Sequence, residues 1–323
     1  MRIVFMGYQT WGVVALRALA TSGHTLPLVV THPASDHPYE KIWADSVSAL
    51  AKAHRIPVIE GRRADEPAIE RAIREARADL ILCSDWRTLV PERVLRLARL
   101  GGINIHDGLL PRYAGFAPIN WAIANGESEV GLTAHVMTHL FDLGDIVVQR
   151  RIPVAPLDTA TGVAQRVFDL LPEVTLESVA RRADPDFSPV PQDPILSSFF
   201  HKRTARESRV DWSRTPKQIF DLIRAQSDPY PNAWTTHAGR RLYLKRVSYP
   251  SRAYCGTPGR LHSREPAGVV VVCGQQPGQI NQGLVLEEVQ PADGEPTPAH
   301  RWFRRLGEYL GDADNINYDA GEQ

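Results

Sequence analysis

Short apolar runs alternate with stretches of helical spacing over the first two-thirds of the chain. Residues 2–6 (RIVFM) read as a strand that stops at Gly7. Residues 10–20 carry Val14, Leu16 and Leu19 near the 3.6-residue spacing of a helix. The alternation continues with strands at 26–31, 57–60, 79–84, 102–106, 130–137 and 146–154, and helices at 46–53, 66–77, 91–100 and 117–125. Strand 79–84 (DLILCS) is apolar on both faces, which predicts a central position in the sheet. This order predicts βαβ units and an α/β fold: a Rossmann-like, mostly parallel sheet with helices on both faces.

The pattern changes near residue 183, where Pro, Asp and Ser accumulate. Beyond it, residues 216–226 form an amphipathic helix pattern through Ile219, Leu222 and Ile223. Strand-like runs at 241–247, 268–273 and 283–289 follow, punctuated by Gly and Pro. These predict a small C-terminal β-barrel-like (OB-like) domain. The expected organisation is a catalytic domain at 1–182, a linker at 183–203, a barrel-like domain at 204–311 and a flexible, acidic tail at 312–323.

Charge narrows the partners. Lysine plus arginine, 37, equals aspartate plus glutamate, 37, so no bulk field draws the chain to nucleic acid or an anionic membrane. No run reaches the roughly 18 apolar residues of a membrane span, and the start lacks a signal peptide's cleavage pattern. Three scattered cysteines, Cys83, Cys255 and Cys273, lack metal-ligand spacing, and a cytoplasmic location is expected.

The first strand-to-helix turn, Gly7-Tyr8-Gln9-Thr10-Trp11-Gly12, has neither the middle glycine of a dinucleotide turn nor the lysine of a P-loop. It therefore argues against nicotinamide and nucleoside-triphosphate chemistry. Tyr8 and Gln9 still lie at the carboxyl end of a parallel strand, where open α/β sheets bind ligands. Side chains alternate along strand 102–106, so Asn104 and His106 share one face. That places an amide and an imidazole together, as a polar site or as a buried histidine bonded to a neighbouring carbonyl. Asp142-Leu143-Gly144-Asp145 has the composition of a turn. His135 and His139 are four apart in a strand-like run, so no metal site is expected. His32 and His37 read as members of a solvated loop.

Together these pieces resemble the folate-dependent formyltransferase family, which includes formyltransferases of methionyl-tRNA, amino sugars and amino acids. The resemblance runs through NIHDGLLPRYAGFAPINWAIANGESEVGLTAHVMTHLFDLGDIV (104–147), where the family pattern is N-x-H-x-S-L-L-P, then P-I-x-W-A-I-x-x-G-E and D-x-G-D-I. It extends back to Met1, and forward through Val210-Asp211-Trp212, Ile223-Arg224-Ala225 and Asp228-Pro229-Tyr230-Pro231. Gly108 departs from it, standing where the family usually has serine. By motif position the resemblance implies a catalytic set of Asn104, His106 and Asp142, with 10-formyltetrahydrofolate as formyl donor. It also implies a donor site of Trp86, Arg87, Thr88 and Leu89 with Leu140 and Phe141; Trp86 and Phe141 read equally well as core residues.

The residue types suit transfer through a tetrahedral oxyanion. Asn104 can donate to the developing charge, His106 can serve as general base or as a charged oxyanion partner, and Asp142 can orient the imidazole. GYQTWG, THPxSxHxYEKIWxDSV and HDxLLPxYAGFxPI are similar to siderophore-pathway formyltransferases, which implies N5-hydroxyornithine as acceptor. A small amine or hydroxylamine is therefore expected, with Tyr8, Gln9, Glu40 and Lys41 as its contacts. The alternatives are a nucleotide-linked amino sugar, then methionyl-tRNA; a hydrolase of formyl-folate or a folate-binding protein is the reading of a different class. Residues 201–323 hold 17 basic and 14 acidic side chains, too even a balance to favour nucleic acid.

Overall fold

The computed structural model describes residues 1–36 and 41–311. The chain divides into two compact units: Met1–Ala122, Ser128–Ala155 and Gly162–Lys202 form the first, and Ile123–Glu127, Pro156–Thr161 and the chain from Arg203 onward the second.

Through the first unit run β1 (Arg2–Gly7), α1 (Gln9–Ala20), β2 (Thr25–Thr31), α2 (Val47–Ala53), β3 (Val58–Glu60), α3 (Pro67–Ala76), β4 (Leu80–Ser84) and α4 (Glu92–Leu95). Next come β5 (Gly102–His106), β6 (Ala114–Gly115), α5 (Pro118–Ala124), β7 (Glu129–Val136), β8 (Ile146–Pro153), α6 (Ala160–Ala183) and β9 (Phe199–Phe200). The main sheet has the order β3-β2-β1-β4-β5-β7-β8. Its first five strands are parallel, and β7 and β8 run antiparallel. Every residue of β4 is buried, as a strand covered on both faces must be. Val4, Met6, Ile81 and Cys83 pack with Ile69 and Ile73 of α3 and Val94 of α4. The alternate residues Ile3, Phe5, Leu80 and Leu82 are buried as well.

The second unit carries α7 (Pro216–Ala225), β10 (Trp234–His237), β11 (Arg240–Ser248), β12 (Leu261–Glu265), β13 (Gly268–Val272), β14 (Gly283–Pro291), β15 (Thr297–Pro298) and α8 (Ala299–Trp302). Its antiparallel sheet, β10-β11-β14-β13-β12 with β15 on β14, curls around a core of Trp212, Ile219, Leu242, Val271, Leu286 and Phe303. A capping box of Thr215 and Gln218 starts α7, with Pro216 at its first position.

Three differences from the sequence pattern lie in the first unit's longer elements and in the stretch after α6. Helix α6, 24 residues long, occupies a stretch where no element is predicted. Pro172 and scattered β-branched residues weaken its local signal, and burial of Val163, Val167, Leu171, Val174 and Val179 overrides that weakness. The helix predicted at 91–100 shrinks to Glu92–Leu95. The stretch 183–202, expected as a linker, belongs to the first unit and contributes β9, which pairs with β6, and a bridge from Val190 to Ile146. The expected tail at 312–323 lies outside the described residues.

Candidate active site

Strand β5 delivers the first two groups. Its register sets Asn104 between Cys83 of β4 and His135 of β7, and sets His106 opposite Thr133. Because β7 is antiparallel, the His135 side chain stands beside Asn104, with Asn104 Nδ2 at 3.3 Å from His135 Nε2. The third group arrives on the β7–β8 loop. Asp142 takes a left-handed backbone conformation (φ 55°), which a short polar side chain tolerates better than most. Two residues on, Gly144 passes against the Val136 carbonyl so closely that no Cβ would fit. The turn and the site are thus one structure.

The Asp142 carboxylate is shared. Oδ1 lies 3.4 Å from Asn104 Nδ2 and 3.3 Å from His135 Nε2. Oδ2 accepts from the Gly115 N–H at 2.9 Å and lies 3.7 Å from His106 Nδ1. His106, His135 and Asp142 are each less than 8% exposed. Burial alone would raise the Asp142 pKa. The charges of His106 and His135, with hydrogen bonds from His135 and Gly115, outweigh it and hold the carboxyl well below the usual range. Asp107 moves the other way: desolvation pushes its carboxyl up against the opposing pull of His106.

Neighbouring backbone completes the site. His106 Nε2 lies 2.8 Å from the Tyr113 carbonyl, and His135 Nδ1 lies 3.0 Å from the Val136 carbonyl. A carbonyl only accepts, so each of these bonds places a proton on its ring nitrogen. Thr133 Oγ1 donates to the Gly108 carbonyl at 2.6 Å, tying β7 to the loop after β5. Gln192 Nε2 donates to the carbonyls of Asp142 (2.8 Å) and Gly144 (2.6 Å), so the 183–202 stretch braces the carboxylate turn.

The structure brings the predicted catalytic set together and adds His135, which the sequence pattern presents only as a rejected metal ligand. The period-2 alternation of 130–137 carries half the signal for it; its pairing opposite Asn104 carries the rest. Among the described residues no cluster of side chains has the make-up of a metal site.

A second cluster gathers Tyr8 and Gln9 with Arg87. Arg87 Nη2 donates to Gln9 Oε1 at 2.7 Å, its guanidinium lies 4.9 Å from the centre of the Tyr8 ring, and Nε lies 3.4 Å from Asp85 Oδ1. His32 is part of this cluster, which corrects its reading as a solvated residue. Its ring stacks on Trp86 at 4.0 Å, and its Nε2 accepts from the Arg87 N–H at 3.2 Å. Trp86 is buried in the core beside α3 and α4, the second of its two expected placements. Thr88 Oγ1 donates to the Arg62 carbonyl. Leu89, Leu140 and Phe141 are exposed apolar side chains. Lys41 pairs with Asp36 at 3.2 Å, while Glu40 and His37 lie outside the described residues.

Known proteins give the site its context. Residues 1–179 match the family described as formyl transferase, and residues 202–307 match the formyl transferase C-terminal domain. A methionyl-tRNA formyltransferase of Geobacter metallireducens is 34% identical over 291 residues, covering 89% of this chain and 90% of that protein. Among solved structures, WlaRD, a sugar 3N-formyl transferase crystallised with dTDP and 5-N-formyl-THF, aligns at TM-score 0.67 and 15% identity over 91% of this chain and 99% of its own. HypX from Aquifex aeolicus in complex with tetrahydrofolic acid aligns at TM-score 0.58 and 20% identity over 94% of this chain. The chain spans about half of HypX, covering 46% of it. With both domains matched in order and a relative above 30% identity along nearly its whole length, this chain belongs to the formyl transferase family.

Proposed function

We propose that the chain transfers the formyl group of 10-formyltetrahydrofolate to the nitrogen of a small amine or hydroxylamine, with N5-hydroxyornithine as the acceptor. One observation carries the reaction type: an amide, an imidazole and a carboxylate converge within 3.7 Å at the carboxyl end of β5, with His106 and Asp142 buried. As the acceptor nitrogen adds to the formyl carbon, Asn104 donates to the oxygen gathering charge. Comparable donors contribute about 3–4 kcal/mol. His106 takes the proton from the acceptor nitrogen, and the Asp142 carboxylate stabilises the resulting imidazolium. His135 and the Gly115 N–H hold that carboxylate ionised. Exposed Leu89, Leu140 and Phe141 suit the faces of a flat heteroaromatic donor, whereas the Trp86 ring is buried and already stacked on His32.

The acceptor reading rests on sequence resemblance and on chemistry. A hydroxylamine is neutral near pH 7, so the imidazole meets a nucleophile that needs no prior deprotonation. Arg87 and Asp85 place both signs of charge beside Tyr8 and Gln9, which suits the carboxylate and ammonium of an amino acid. A second reading, methionyl-tRNA, is favoured by the two-domain likeness to the Geobacter protein. Nucleotide-linked amino sugars form the third arm of the test. The three unpaired cysteines, two of them buried, suit the reducing cytoplasm.

The test is a panel of hydroxyornithine, amino-sugar nucleotides and methionyl-tRNA with the formyl donor, read by mass. Formylated hydroxyornithine is expected; no product from any arm, or formate release independent of acceptor, rejects the proposal. His106→Ala and Asp142→Ala should each lower turnover at least about a hundredfold in folded protein. Near-normal transfer by both would remove the catalytic assignment.

A further inference from the structure

Gly108 occupies the motif position where serine is usual, and nothing in its backbone conformation calls for glycine: its φ lies outside the left-handed region. Its reason is space. A Cβ built there would lie 2.7 Å from His106 Nε2, 2.9 Å from His106 Cδ2 and 2.8 Å from the Tyr113 carbonyl oxygen. Those atoms are the two ends of the 2.8 Å His106–Tyr113 hydrogen bond. One side-chain carbon at 108 therefore crowds both ends of the bond inside contact distance, and either the ring or the carbonyl must yield.

The carbonyl is well anchored. Tyr113 holds a left-handed backbone (φ 59°), its N–H donates to Ser198 Oγ at 3.0 Å, and its ring stacks on Phe200 at 4.9 Å. The ring is thus the member that gives way. With the bond intact, the carbonyl demands the proton on Nε2, so whenever the ring is neutral its lone pair is on Nδ1. Nδ1 is the nitrogen that faces Asp142 Oδ2, at 3.7 Å.

We propose that Gly108 is a positioning residue: its missing side chain lets the His106 ring lock onto the Tyr113 carbonyl, which selects Nδ1 as the nitrogen that handles the proton. The chemical half of this proposal rests on the formyl-transfer reading. As the acceptor N–C bond forms, the acceptor's proton passes to Nδ1. As the bond from the formyl carbon to N10 of the donor breaks, the same proton passes to N10. The imidazole ends as it began, with its proton on Nε2.

The experiment is ¹⁵N NMR of the full chain labelled at histidine, without ligands, together with kinetics. The wild-type His106 is expected in the Nε2–H tautomer. In Gly108→Ala the signals should move to a tautomer mixture, and kcat should fall by about tenfold or more, as mis-set imidazole tautomers do. The donor KM should stay within about twofold, because donor contacts are untouched. In a His106→Ala background, adding Gly108→Ala should leave residual turnover unchanged. An Nδ1–H tautomer in the wild type overturns the proposal whether or not the variant folds. So does a Gly108→Ala protein that keeps both wild-type tautomer and wild-type kcat. Neither result touches the formyl-transfer reading, which fails instead if no acceptor is formylated or formate is released without one.

Discussion

A carboxylate between two imidazoles leaves a record in the pH dependence of stability. The folded-state pKa of Asp142 is depressed, so its contribution is present above its unfolded value and is lost as pH falls through the folded one. Asp142→Asn should therefore melt below the wild type at pH 7, and the gap should narrow on acidification below about pH 4, the ordinary carboxylate range. A gap of constant size from neutral to acid pH would show that charge is not what Asp142 contributes. Asn104 and His106 are legible in the sequence because a two-residue spacing on a strand fixes a common face. His135 is not: its partner, Asn104, is 31 residues away, and only the antiparallel register joins them. The Tyr113 carbonyl is equally hidden, since a backbone acceptor has no sequence signature.

The segment between α6 and the second unit shows what local pattern reading misses among elements. Prolines and aspartates mark 183–198 as irregular, and it is irregular, but tertiary hydrogen bonds hold it against Tyr113 and the Asp142 turn. Ser198 fixes Tyr113, β9 pairs with β6, and Gln192 holds the Asp142 turn. Gln192→Ala removes two hydrogen bonds, each contributing about 1 kcal/mol. If that ordering energy, about 2 kcal/mol in all, serves the turn, kcat should drop by about thirtyfold, since about 1.4 kcal/mol corresponds to one decade. Unchanged kcat in a folded Gln192→Ala protein would reduce the segment to packing. The βαβ strands are legible because their apolar runs are short and sharply bounded. Helix α6 is not, because its proline and branched residues suit a helix only once their burial is known.

At the scale of the whole chain, balanced charge makes a kinetic statement. With 37 basic and 37 acidic side chains, the chain has no net charge with which to gather a polyanion. If the proposed hydroxyornithine is the acceptor, turnover on it should change by less than about twofold between 50 and 300 mM salt, where phosphate-contacting proteins lose affinity steeply. A steep fall in kcat/KM with salt for this small acceptor would show that charge does govern its capture. The fold class and the order of the two domains are readable from sequence; the grouping of 123–127 and 156–161 with the second unit is not, because such small excursions obey contacts rather than composition.

The pairing of β9 with β6 also sets a rule for exchanging parts between relatives. A chimera joined at the end of α6 would import foreign residues into the buttress beneath Tyr113 and Asp142. One joined after Lys202 would keep every brace native, so the productive crossover lies some twenty residues later than the helix suggests.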